Sequence, residues 1–168
     1  MEETVVTEEE PLKSGHQNNV MEDITAAEGR SKGDAGVLTL NFLKDALHEQ
    51  HPQYPVLTHT NASQVCSHVT NLSLQFKGLG SLNFLWMFKS LTRLELSNNH
   101  LSDTKGLEKL ENLTWLDLSY NQIRRVVGLT ELVQLEVLVL HNNLLQELDR
   151  AAFNRLNKLQ VLTLANNR

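Results

Sequence analysis

From Leu91 to the end of the chain one phrase is written four times. Leu91-Thr-Arg-Leu94-Glu-Leu96-Ser-Asn-Asn99-His-Leu101 returns as Leu113-Thr-Trp115-Leu116-Asp-Leu118-Ser-Tyr-Asn121-Gln-Ile123. It returns again as Leu135-Glu-Val-Leu138-Val-Leu140-His-Asn-Asn143-Leu-Leu145, and Leu159-Gln-Val-Leu162-Thr-Leu164-Ala-Asn-Asn167 carries a last copy to Arg168. The period is 22 residues from Leu91 to Leu113 and from Leu113 to Leu135; it is 24 from Leu135 to Leu159, where Asp149-Arg-Ala-Ala-Phe153 adds two residues on the outer side. A unit this short cannot bury its own apolar side. Copies must stack and share a core, which restricts the chain to a solenoid.

The internal logic of the unit follows from strand geometry. In x-L-x-L-x the leucines point one way and the x residues the other, so stacked copies present a leucine core and a second, inner face. The asparagine that follows can donate and accept, and so can serve the backbone of the turn. Stacking predicts a ladder of Asn99, Asn121, Asn143 and Asn167. The second halves also repeat: Leu101, Thr104, Gly106, Leu107 and Leu110 correspond to Ile123, Val126, Gly128, Leu129 and Leu132. One period earlier, Val69-Thr-Asn-Leu72-Ser-Leu74-Gln-Phe-Lys77-Gly-Leu79 follows the same skeleton with Lys77 in the asparagine position, so the ladder is expected to begin one repeat later. Gly78 is the candidate turn residue there. Leu82, Phe84, Leu85 and Phe88 complete that repeat, and the two phenylalanines suit a terminal unit packed against something bulkier than another repeat.

The skeleton L-x-x-L-x-L-x-x-N-x-L/I is that of the leucine-rich repeat. The expected fold is an α/β leucine-rich repeat solenoid, with short parallel strands on the concave face and repeats at 69–90, 91–112, 113–134, 135–158 and 159–168. The final unit lacks its outer half, from which the native protein is expected to continue. Residues 1–36 are acidic and poor in large apolar side chains, so a disordered leader is expected. Between them, residues 37–68 read as a cap. Val37–Gln50 places Leu40, Leu43 and Leu47 at helical spacing, Pro52 stops it, and an irregular connection runs from His51 to Ser67.

Other chemistry is weakly signalled. A net charge of -5 argues against general nucleic-acid binding, and no run approaches the ~18 apolar residues of a membrane span. The first residues lack an apolar secretory core, and Cys66 is the single cysteine, too few for disulfide-bonded caps. An intracellular protein is the resulting expectation, which leaves the sequons at Asn61, Asn71 and Asn112 silent. Phosphate loops, nucleophile elbows and zincin motifs are missing. His48, His51 and His59 read as surface histidines rather than zinc ligands, which need three or four convergent donors. No enzymatic activity, cofactor, metal or small-molecule substrate is expected.

The inner face is different. One column of x residues reads Asn71, Arg93, Trp115, Val137, Val161, and the next reads Ser73, Glu95, Asp117, Val139, Thr163. A third reads Gln75, Ser97, Ser119, His141, Ala165, bordered by Phe76, Asn98, Tyr120, Asn142 and Asn166. Trp115, Val137, Val139 and Val161 are apolar on a face that stacking leaves open. With Arg93, Glu95, Asp117, Tyr120 and His141 beside them they form the mixture typical of interface anchors, and this face is the expected protein-binding site.

The second halves, Gly106-Leu-Glu-Lys-Leu110 and Gly128-Leu-Thr-Glu-Leu132, resemble the short intracellular subclass typified by the leucine-rich regulatory subunit of protein phosphatase 1. The helix ending in Glu49-Gln-His-Pro52, the junction to Val69-Thr-Asn-Leu72-Ser-Leu74-Gln-Phe76, and the stretch Asn83-Phe-Leu-Trp86-Met-Phe88-Lys-Ser-Leu91 followed by Trp115 resemble the family of dynein regulatory complex subunit 3 over residues 37–148. Lys77 and the longer unit at Asp149–Phe153 depart from that pattern, and the family's coiled-coil half is absent. The resemblance implies a non-catalytic scaffold of the nexin link in motile cilia and flagella. Its partners would be other dynein regulatory complex subunits, and its site the cytoskeleton of the axoneme. A phosphatase-binding module is the alternative the repeat subclass implies.

Overall fold

Three residues of extended chain per repeat suffice to build the sheet. The computed structural model describes Gly36 and residues 38–168, and the acidic leader lies outside the described residues. Strands β1 (Asn71–Ser73), β2 (Arg93–Glu95), β3 (Trp115–Asp117), β4 (Val137–Val139) and β5 (Val161–Thr163) pair in parallel and in chain order. The strands are shorter than the five-residue x-L-x-L-x. The second leucine of each unit nevertheless stays in the ladder: Leu96 N donates to Asp117 O at 2.8 Å, and Leu118 N to Val139 O at 2.9 Å. Leu94, Leu96, Leu116, Leu118, Leu138 and Leu140 are wholly buried. Each contributes about 1.5–3 kcal/mol by leaving water.

The asparagines sit under the turns as polar rungs in an apolar core. Asn121 donates to Leu96 O (2.9 Å), Leu118 O (3.1 Å) and Ser119 O (3.1 Å), while its Oδ1 accepts from Leu101 N (3.1 Å). Asn99, Asn143 and Asn167 repeat the arrangement, each reaching back into the preceding unit. Where Lys77 replaces asparagine, Asn99 Oδ1 accepts from both Lys77 N and Leu79 N, so the first turn is served by the second repeat. Thr104 has a similar task. Its wholly buried hydroxyl accepts from Val127 N and donates to Val127 O.

At the N-terminal edge, helix α1 spans Leu40–Gln50. It begins three residues later than the apolar spacing suggests, because Thr39 is extended and its hydroxyl caps Phe42 N at 3.2 Å. Leu40, Leu43, Ala46 and Leu47 form its buried face. Its end is fitted to β1: Gln50 Oε1 accepts from Ser73 N (2.8 Å), Gln50 Nε2 donates to Ser73 O (2.6 Å), and His51 Nε2 lies 2.7 Å from Asn71 O. Two side chains thus occupy the backbone groups of a strand edge that would otherwise be open. Gln50→Ala is expected to lower stability by about 1–2 kcal/mol, since it strips both partners from Ser73. Urea denaturation of the variant checks this, and a loss near zero would mean that water serves the edge equally well.

The connection is not wholly irregular. A short helix α2, Ala62–Cys66, packs against a 3-10 turn at Leu85–Met87, and the flanking Phe84 and Phe88 are buried. The helix thus lies against the turn that the two phenylalanines flank. Cys66 is buried within α2, and burial pushes its thiol up to about 12 despite a backbone hydrogen bond acting the other way. The insertion at Asp149 forms helix α3, Arg150–Phe153, with the Asp149 carboxylate capping Ala151 N at 2.9 Å.

Candidate protein-binding face

The register of the sheet aligns the inner columns. Asn71, Arg93, Trp115, Val137 and Val161 stand side by side, as do Ser73, Glu95, Asp117, Val139 and Thr163. Arg93 and Val161 are exposed, and Glu95, Trp115, Asp117, Val137 and Val139 are half-buried. In the third column, Ser97 and Ser119 are buried, so only Gln75, His141 and Ala165 reach the surface there. Tyr120 is exposed and meets His141 edge-on, with ring centroids 5.3 Å apart.

The centre of the face is a stack. The Arg93 guanidinium lies 3.5 Å from the centre of the Trp115 ring while its Nε and Nη2 donate to Glu95 Oε1 at 3.1 and 2.9 Å. Gln75 Nε2 donates to the other Glu95 oxygen, and Ser97 Oγ donates to Gln75 Oε1. Trp115 is thereby held flat with one face covered by a planar cation, an arrangement worth about 0.5–2 kcal/mol. Asp117 is anchored differently, its Oδ1 accepting from Ser119 N (2.8 Å) and Ser119 Oγ (2.6 Å). Beyond the stack the columns become apolar through Val137, Val139 and Val161. The face therefore offers a rigid aromatic anchor, two carboxylates with one guanidinium, and a valine slope.

Partial burial raises the Glu95 carboxyl, but hydrogen bonds from Arg93, Ser73 and Gln75, with the Arg93 charge, outweigh it and hold the group below 4.5. A carboxylate depressed in the folded chain contributes stability above its unfolded value, and that stability is lost as pH falls through the lower folded value. Glu95→Gln is accordingly expected to be less stable than the parent at neutral pH and to converge with it in acid. Denaturation curves at pH about 7 and about 3 test the sign, and a gap unchanged between them would remove the charge from the account.

One structural feature of the rim escaped the sequence reading. Phe76, Asn98, Tyr120, Asn142 and Asn166, at one position in five successive repeats, all adopt left-handed backbone with φ between 52 and 58°. Asparagine tolerates this conformation; an aromatic residue does so at a cost of about 1 kcal/mol. Phe84 is also left-handed, where later repeats have Gly106 and Gly128, but it is buried and packing offsets the strain. Phe76 is 74% exposed and Tyr120 54% exposed. Phe76→Asn is expected to raise stability by about 0.5–1 kcal/mol, read as a higher urea midpoint. The signal was available in the sequence, since three of the five aligned positions are asparagine.

Comparison with known proteins agrees with this architecture. A family model described as leucine-rich repeats, in two copies, matches residues 89–131 and 111–152. Residues 89–152 match leucine-rich repeats, and the fold from β1 to β5 is a leucine-rich repeat solenoid. Among solved structures, an internalin (inlF) of Listeria monocytogenes superposes with a TM-score of 0.54 at 28% identity, over 63% of this chain and 32% of that one. Internalin C2 (inlC2) of the same organism gives 0.56 at 24% identity, over 64% and 47%. The functional domain of InlJ, also from Listeria monocytogenes, gives 0.55 at 23% identity, over 62% and 22%. The repeats thus span less than half the length of each. No curated protein matches the sequence. Leucine-rich repeats are protein-interaction modules as a class, and the fold alone does not select a partner.

Among the described residues no group of three His, Cys, Asp or Glu side chains could hold a metal ion, and no helix is long and apolar enough to cross a membrane. His51, one of the three candidate histidines, is engaged with the β1 edge.

Proposed function

We propose that the protein is a non-catalytic scaffold whose concave face binds another protein, with Trp115 as the anchor. The observation that carries this reading is the Arg93–Trp115 stack beside Val137, Val139 and Val161: a rigid aromatic group and an apolar slope on neighbouring strands of one open face. Rigid aromatics next to a guanidinium dominate binding energies at interfaces out of proportion to their area. In the narrower reading, the partner is a subunit of the dynein regulatory complex, and the protein helps to dock that complex between doublet microtubules and dynein arms. The support for it is the sequence resemblance over residues 37–148, including the Gln50-His51-Pro52 junction and Trp115.

Localisation tests the narrower reading. In a motile flagellated cell extracted with detergent, the tagged protein is expected to stay along the axoneme. Release into the soluble fraction, with co-purifying phosphatase activity, would replace the axonemal partner by a phosphatase catalytic subunit.

A further inference from the structure

Two exposed aromatic residues on the rim hold a backbone conformation that suits asparagine, and no burial offsets it. Phe76 and Tyr120 occupy the same turn position two repeats apart, with Asn98 between them and Asn142 beyond. The position continues the parallel ladder: Phe76 N donates to Ser97 O, Asn98 N to Ser119 O, and Tyr120 N to His141 O. Neighbouring units are therefore one strand spacing apart here, and the backbone positions that carry the two rings lie two spacings, about 9.6 Å, apart along the solenoid. Strained exposed residues of this kind cluster at ligand clamps.

That spacing has a counterpart among peptide conformations. A polyproline II helix has three residues per turn at 3.1 Å each, so side chains at i and i+3 recur on one face every ~9.3 Å. We propose that the rim binds a proline-rich segment of a protein partner running across the strands, with prolines at i and i+3 packed on Phe76 and Tyr120. Such a segment has no internal hydrogen bonds and exposes its carbonyls, and the row supplies amide donors from Asn98 and Asn142 around an open depression of about 440 Å³ that Tyr120 also lines. Charge complementarity extends the match. Glu95 is paired with Arg93, whereas Asp117, three residues before Tyr120, has no cationic partner among the described residues. A lysine or arginine flanking the prolines fits it. This inference rests on the reading of the inner face as a protein-binding site and names the class of segment its rim accepts.

Isothermal titration of the full chain with a blocked decaproline peptide ending in lysine tests it, against a glycine-serine peptide of equal length and charge. Saturable binding of the proline peptide alone is expected. Phe76→Asn and Tyr120→Asn should each weaken it about tenfold. Both place an amide where the backbone favours one, so loss of folding does not confound the result. Asp117→Asn should weaken the lysine-bearing peptide and leave plain decaproline unchanged. Equal binding of both peptides, no binding, indifference to the double rim variant, or binding of a neutral oligosaccharide in place of the peptide would each overturn the proposal. Trp115→Ala separates the two readings. Retained peptide binding with an unaffected cellular partner defeats the concave-face anchor alone, and lost partner binding with no peptide binding defeats the proline site alone.

Discussion

Asn121→Ala lowers stability by about 3 kcal/mol, because it empties a buried rung of the asparagine ladder. The side chain removed makes four hydrogen bonds to buried or partly buried backbone, to Leu96, Leu101, Leu118 and Ser119. Alanine cannot replace them, and Asn121 is only 8% exposed between two leucine layers. Each buried backbone group left without a partner costs about 1–3 kcal/mol, and partial relaxation and water entry bring the total to about 3 kcal/mol, below the simple sum over the four groups. Asn167→Ala is the internal control. It removes three of the four corresponding contacts, from a rung that is half-buried in this chain, and should cost about 1 kcal/mol, because water can take over. Urea denaturation followed by tryptophan fluorescence measures both. Equal losses at the two positions would mean that burial does not set the value of a rung.

Trp115→Ala weakens partner binding by about 2 kcal/mol or more, roughly thirtyfold, with only a small change in stability. The indole is half-buried on the open face and packs against Arg93, so its removal deletes contact area for a partner while leaving the leucine core intact. Arg93→Lys isolates the stacking contribution. Lysine keeps the charge but not the planar surface or the two-pronged donation to Glu95, and it should fall between parent and Trp115→Ala. If Trp115→Ala binds its partner unchanged while Val137→Asp does not, the anchor lies on the valine slope.

Much of the architecture can be read from the residues because the repeat makes each position its own control. The alignment of Arg93 with Trp115 and Val137 follows from counting one period, and the sheet register places them side by side. Helix α2 could not be read that way. Ala62–Cys66 is shorter than any window in which helical periodicity can be seen, and the surface it packs on, the Leu85–Met87 turn, lies outside it in the first repeat. The start of α1 is set by the capping hydroxyl of Thr39 and not by the apolar spacing that begins at Val37. Gln50 and Thr104 show a further limit. Both act on backbone groups 23 residues away in sequence, and nothing local to either residue announces it. The rim aromatics lay hidden for the opposite reason: Phe76 and Tyr120 suggest apolar contact, while the backbone they occupy is legible only from Asn98, Asn142 and Asn166.

The most direct test of the concave face as the partner site is site-specific photo-crosslinking in cells. A photoreactive residue in place of Val137 on the inner face is compared with one in place of Glu111, which is exposed on the outer half of a repeat. A discrete adduct from position 137, absent from position 111 and diminished by Trp115→Ala, is the predicted result. An adduct formed equally well from position 111, or one indifferent to Trp115, would contradict the assignment of partner binding to this face.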